Sequence, residues 1–219
     1  MRFHTNHSKV LTKSLSTFKV ESDKQLGIDQ SKENTTPIEI ASRRLSEATL
    51  RRRFGDALIL DVTSRAPEPW VRFSPFFPHG GIPVPFTSNS AGASVEGIWQ
   101  GLKVFESADV DTATIENATM RGIKRTERRF GKVRGHREGI NGARLLSYGE
   151  ARRGIYLLTY LWVLENRLQD QIGQLHSLAN SQRVVLLDYE TNEDVENLSR
   201  PLSHASLIVE YHQQIKSAS

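Results

Sequence analysis

The chain contains no cysteine, which rules out a disulfide framework, a thiol nucleophile and every cysteine-based zinc or iron–sulfur site. A reducing, cytoplasmic setting is the expectation that follows. Long apolar runs are also missing: the longest, 155–164, is about half of what a bilayer crossing needs, and Thr159 and two tyrosines interrupt it. No membrane span is expected. Neither G-x-x-x-x-G-K-[ST] nor G-x-G-x-x-G occurs, so any phosphate site departs from the standard nucleotide-binding loops. G-x-S-x-G and H-E-x-x-H are absent too, and His79, His136 and His204 do not fall at metal-ligand spacing, so the reading includes no serine-hydrolase triad, no metal and no cofactor.

What is present is unevenly distributed. Over 219 residues the hydrophobic fraction is 37%, and because the first third is polar, the core must come mostly from later residues. One domain is the expectation for this length. Residues 1–36 are rich in Ser, Thr, Lys, Asn and Gln without a sustained period, which reads as a disordered tail; a basic start with no acid in its first twenty residues is also a pattern of organelle transit peptides. The domain is assigned to 37–219. Its net charge of +4 conceals a concentration: 121–137 carries eight Lys or Arg against Glu127 alone, and removing that +7 leaves −3 elsewhere. A basic block of this kind suits a phosphate-bearing partner.

Periodicity predicts a strand at 38–40, an amphipathic helix with Leu45, Leu50 and Phe54 on one side, and a buried strand at 57–62. Six prolines and two glycines forbid regular structure over most of 65–93, although Trp70, Phe73, Phe76, Phe77 and Phe86 are too apolar to be merely solvated. Helices are predicted from Ser94 with Val95, Ile98, Leu102 and Phe105 buried, over roughly 112–129, over 148–178 and over 203–215. A glycine-punctuated loop is expected at 131–142 and a second buried strand at 184–189. Few strands among several helices, without strict alternation, predict an α+β fold, mostly helical around a small sheet.

Glu96, Trp99, Gln100 and Lys103 sit at spacings of three, four and seven, which on one helix places them within roughly 100° of each other. A carboxylate, an indole, an amide and an amine on one face could hold a polar planar ligand; the same spacing also suits a salt-bridged surface helix. Arg121, Lys124, Arg125 and Arg128 at helical spacing would make one positive face for a phosphate or a nucleic-acid backbone, or simply a solvated one. The loop 131–137 (GKVRGHR), with Arg134 and Arg137, would let backbone amides join the cations around an anion. His79, in 74–86 (SPFFPHGGIPVPF), lies where a tight backbone approach could place it beside the helix. Asp188 and Asp194 follow a buried strand, a common position for catalytic acids, and Asn192 or Asp194 could equally cap a helical turn.

The stretch 94–103 (SVEGIWQGLK), preceded by the 74–86 loop, resembles the signature of the NADAR superfamily of YbiA-like N-glycosidases, in which a serine and a glutamate open a helix followed by an aromatic, glutamine and lysine. The C-terminal Asp-x-x-Trp-Gly element of those proteins has no counterpart in 184–194 or 201–205, and the sequence looks closer to a DUF6939-like branch. The resemblance implies a NADAR-like fold and hydrolysis of a C–N glycosidic bond in a ribose-phosphate or ADP-ribose-type substrate. It implies Glu96 as the carboxylate that stabilises an oxocarbenium ion, with Asp188 or Asp194 as second acid. Trp99 would stack on the ligand, Gln100 and Lys103 would orient it, and Lys124, Arg125, Arg134 and Arg137 would hold phosphate. The alternatives are a non-catalytic nucleotide- or nucleic-acid-binding protein using 121–137, and an interaction protein whose tail and prolyl loop dock a partner.

Overall fold

A computed structural model describes residues 38–218; the disordered tail or transit peptide expected at 1–36 lies outside the described residues. The organising element is the strand β8 (Val184–Asp188), every residue of which is buried. It lies between β1 (Ile38–Ser42) and β2 (Leu58–Asp61) and pairs with both in parallel, Ile38 and Leu58 standing opposite Val184. A Val/Leu run with no polar alternation is what a parallel strand covered on both faces requires. The run at 57–62, predicted as a buried strand, is only half-buried because it forms a sheet edge, where Leu60 alone within the strand is fully covered.

Helix α1 (Glu47–Phe54) begins where the Ser46 hydroxyl accepts from the Thr49 N–H, and it ends at Gly55. Its Leu50 and Phe54 pack with Ala41, Val185 and Leu187. Alternation along β8 sends Val184, Leu186 and Asp188 to the opposite face, where helix α8 (His204–Ala218) covers β8 and β1. The prolyl stretch is ordered by a 3₁₀ turn at Trp70–Phe73 and a short pair, β3 (Ile82–Pro83) with β4 (Ala91–Gly92).

The predicted helix from Ser94 is shorter than its apolar stripe suggested. Helix α2 spans Val95–Gly101, and Lys103–Phe105 is a strand, β5, antiparallel to β6 (Val133–Arg137), which pairs in turn with β7 (Leu145–Leu146). Two glycines weaken the helix, and β-forming Val104 and Phe105 find sheet partners. The predicted helix over 112–129 also fails. Only α3 (Thr112–Ile115) and α4 (Glu127–Phe130) form, because Gly122 at φ 69° and an Asx turn at Asn117 interrupt the segment. The expected loop at 131–142 contains β6. The predicted helix over 148–178 is four pieces: α5 (Tyr148–Ala151), a π turn (Arg152–Leu157), α6 (Leu158–Arg167) and, beyond Leu168 at φ −121°, α7 (Gln169–Ser181).

Gly101 is where α2 meets α3 most closely: a Cβ there would stand 2.3 Å from Ile115 Cγ1 and 2.8 Å from the Asp111 carbonyl. Gly173 of α7 has open space around it. We therefore expect Gly101→Ala to destabilise by about 1–3 kcal/mol through overpacking, and Gly173→Ala to stabilise by about 0.4–1 kcal/mol by restricting the unfolded chain. Urea unfolding of both variants measures this, and equal effects would contradict the packing described.

Candidate functional site

A cavity of about 1240 Å³ opens at the carboxyl ends of the three parallel strands, the usual position for ligands in open parallel sheets. The turns after β1, β2 and β8 supply Arg44, Arg65 and Tyr189; α2 faces them with Glu96, Trp99 and Gln100. Helix α2 is pinned at its start, since Ser94 Oγ accepts from the Gly97 N–H at 3.0 Å and the Glu96 N–H donates to the Pro75 carbonyl at 2.8 Å.

Gln100 organises this wall. Its Oε1 accepts from Lys103 Nζ and from the Arg125 N–H, both at 3.2 Å, so its Nε2 must face the other way, and it donates to Glu96 Oε1 at 2.9 Å. Burial raises the Glu96 pKa, against the opposing pull of Gln100, Lys103 and Lys124. Burial lowers that of Lys103, with Glu96 opposing. Among the described residues no donor reaches Glu96 Oε2, which is left to the cavity. Trp99 lies 3.9 Å, centroid to centroid, from His136 and stands edge-on to Tyr148 and Tyr156, each at 5.9 Å. His136 is buried with neither ring nitrogen bonded, and burial together with Lys103 lowers its pKa to about 3. It is a neutral ring backing the indole.

Asp188 lines the cavity but is committed to the fold. Its Oδ2 accepts from Ser203 Oγ at 2.8 Å and from the Ala205 N–H at 3.3 Å, and lies 2.9 Å from His204 Nδ1. His204 Nε2 lies 2.9 Å from the Val62 carbonyl. Both ring nitrogens therefore face acceptors, which makes His204 an imidazolium. Burial opposes both charges, yet the pairing prevails: Asp188 is lowered to about 2 and His204 is raised.

The basic segment divides. Arg125 points inward and donates to the carbonyls of Gln100, Lys103 and Asp109 at 2.7–3.0 Å, between the rings of Phe105 and Phe130. It lines the cavity with Nη1 and Nη2 spent on backbone carbonyls, while its buried Nε has no hydrogen-bond partner among the described residues and lies 3.9 Å from Asp111 Oδ2. Arg134 pairs with Glu106 and Arg137 with Asp109, both outside the cavity. Lys124 does line it, exposed, 5.6 Å from the Phe76 ring centre. His79 is also outside, its Nε2 held 2.8 Å from the Arg72 carbonyl, and so is exposed Asp194, which accepts from the Glu196 N–H in a turn. The fold thus gathers Glu96, Trp99, Gln100, Lys103, Lys124, Arg125 and Asp188 around one cavity and leaves His79, Arg134, Arg137 and Asp194 elsewhere. Lys103 arrives from β5 rather than from the helix.

Sequence reasoning passed over Arg65, Tyr148, Arg152 and Tyr156, all on the cavity wall, which Phe76 of the prolyl stretch also lines. The spacing of four from Tyr148 through Arg152 to Tyr156 was the available signal. Arg152 is buried and donates to the carbonyls of Val195, Asn197 and Arg200, closing the loop after β8. Among the described residues no three His, Asp or Glu side chains converge as a metal site would need, and no helix is long and apolar enough to cross a membrane.

Fold and site together define an α+β domain with a cavity built across the ends of a small parallel sheet. Residues 42–208, which include every residue lining that cavity, match DUF6939, a family of unknown function, and the chain belongs to that family. No curated protein matches the sequence.

The Asp188–His204 pair gives stability a defined pH dependence. His204, raised from 6.5, contributes stability that is fully present below 6.5 and lost as pH rises through its folded value. Asp188, lowered from 3.8 to about 2, contributes stability that is present above 3.8 and lost as pH falls toward that value. The pair is therefore most stabilising between 3.8 and 6.5. Urea midpoints at about pH 5.5 and about pH 9 should fall in that order for the native chain, and the fall should be much smaller in His204→Gln. A native profile as flat as the variant's would show that the pair is not ionised.

Proposed function

We propose that this protein is an N-glycosidase that hydrolyses the C–N bond of a ribose-phosphate or ADP-ribose-type substrate, as its resemblance to the NADAR superfamily implies. The observation that carries the reading is Glu96, a carboxylate with one oxygen oriented by Gln100 and the other directed to a cavity walled by Trp99, Tyr148 and Tyr156. Cleavage sends the C–N electron pair to the base and leaves oxocarbenium character on the anomeric carbon, which an ionised carboxylate stabilises. Water adds to that carbon, its proton passes to Glu96, and the base takes a proton from solvent. The aromatic wall suits a planar base. Asp188, held ionised against His204, is available as a fixed charge rather than as a proton donor.

Two cations on the cavity wall favour a phosphorylated ligand. Lys124 and Arg65 are both exposed there, and neither makes an ion pair among the described residues. They take the phosphate-binding role in preference to Arg125, which is turned inward onto backbone carbonyls, and to Arg134 and Arg137, which pair with Glu106 and Asp109 outside the cavity. The nucleic-acid alternative has less support, since within 121–137 Arg125 is turned into the domain and Arg134 and Arg137 pair with acids of the chain.

Glu96→Gln should lower base release from a panel of ADP-ribose conjugates and phosphorylated nucleosides by about 100-fold or more; equal rates for variant and native chain would refute the role of Glu96. Because Glu96 acts ionised and its pKa is raised, activity should fall with decreasing pH along a limb lying above the ordinary carboxylate value of 4.5. The double change of Arg65 and Lys124 to Ala should raise KM with little effect on thermal stability, and an unchanged KM would remove these two from the phosphate site.

A further inference from the structure

Tyr148, Arg152, Tyr156 and Tyr160 follow one another at intervals of four through the π turn, a distortion of helices that recurs at functional sites. Two of the three phenols are occupied within the protein. Tyr148 Oη accepts from Arg152 Nη2 at 3.0 Å, and Tyr160 Oη donates to the Phe73 carbonyl at 2.6 Å. The third differs. The Tyr156 ring stacks parallel to Tyr160 at 6.3 Å and stands edge-on to Trp99, but among the described residues its hydroxyl meets no partner, and it lines the cavity. Packing alone would be served by phenylalanine, and polar groups in protein interiors are normally hydrogen-bonded.

On the same wall, Glu96 Oε2 is also without a donor. Burial, then the nearby charges of Glu96 and Asp188, keep the Tyr156 phenol protonated at every physiological pH, so toward a ligand it can always donate. An ionised carboxylate only accepts. A ligand group that satisfies both must accept from one and donate to the other, as an alcohol does.

We propose that Tyr156 and Glu96 together form a subsite for a sugar hydroxyl, Tyr156 donating to the hydroxyl oxygen and Glu96 accepting its proton in a hydrogen bond. The subsite rests on the reading of the cavity as a nucleotide-sugar site and supplies its discrimination. A site built to hydrogen-bond a ligand hydroxyl rejects the analogue lacking it far more strongly than an apolar pocket rejects a missing methylene. Tyr156 is thus a specificity residue, and Glu96 both anchors the sugar and faces its reacting carbon.

The test is calorimetric titration of the full chain and of Tyr156→Phe with adenosine 5′-monophosphate and its 2′-deoxy and 3′-deoxy analogues, alongside thermal melts without ligand. The native chain should bind the ribonucleotide at least about tenfold more tightly than one deoxy analogue, as expected for a hydrogen bond to a charged group. Tyr156→Phe should weaken ribonucleotide binding and narrow that ratio, with an unliganded Tm no lower than native. A variant that keeps the full ratio, or whose unliganded Tm drops by several degrees because the hydroxyl was bonded within the protein, overturns the proposal. If no nucleotide binds the native chain, the nucleotide reading fails, and ribose 5-phosphate in the same titration decides the subsite by itself. Binding that is lost in Tyr156→Phe upholds it, and no binding of any hydroxylated probe overturns it.

Discussion

The buried contact between Asp188 and His204 ties the covering helix to the central strand and to the end of the edge strand β2, which already pairs with β8 in the sheet. Asp188 is the last residue of the central strand, His204 is the first of the helix that covers it, and the second ring nitrogen of His204 reaches the carbonyl of Val62 at the end of the edge strand. Two charges taken out of water are costly singly, and each is tolerable here only because the other is present together with Ser203 and the Ala205 N–H. The arrangement fixes where the strands end, and the cavity is the space beyond those ends. Its specificity of position follows from a polar contact, since apolar surfaces alone would allow the helix to slide along the sheet.

The facing wall is built by a different means. The small residues Gly97 and Gly101 let α2 approach α3 closely, which sets the depth at which Glu96 stands. Orientation then comes from a chain of donors and acceptors in which Arg125 holds the backbone around Gln100, and Gln100 holds Glu96. The arginine most enclosed in the basic segment is therefore a supporting element of the wall, while the exposed Lys124 beside it lines the cavity without an ion pair among the described residues. Adjacent residues of one charged run have opposite uses because one points into the domain and the other into the cavity.

Much of the core could be read from residue patterns. The strands at 38–40 and 184–189 and the helices around Leu50 and at 203–215 have clear apolar runs or periods, and the structure places each within a few residues of expectation. The failures share a cause. At 112–129 and 131–142 the pattern was charged and glycine-rich, so its local period carried little information about burial, and the strand β6 exists because β5 and β7 lie beside it. Lys103 could be placed near Glu96 from spacing on a helix; it arrives there on a strand, a coincidence of geometry that no local rule distinguishes.

By itself the sequence determined the α+β class, the absence of cysteine chemistry, and Glu96 as a carboxylate grouped with Trp99 and Gln100, because these depend on composition or on contacts within one helical turn. Tertiary structure alone decided that Arg134, Arg137, His79 and Asp194 stand away from the cavity, that Asp188 is bound to His204, and that Tyr156 and Arg65 line the same cavity as Glu96. Those outcomes depend on partners tens of residues distant, whose distance and direction are set by how strands register and helices break. A side chain's charge is written in its residue type, but whether that charge meets a ligand, a carbonyl or an opposite charge is determined by the fold around it.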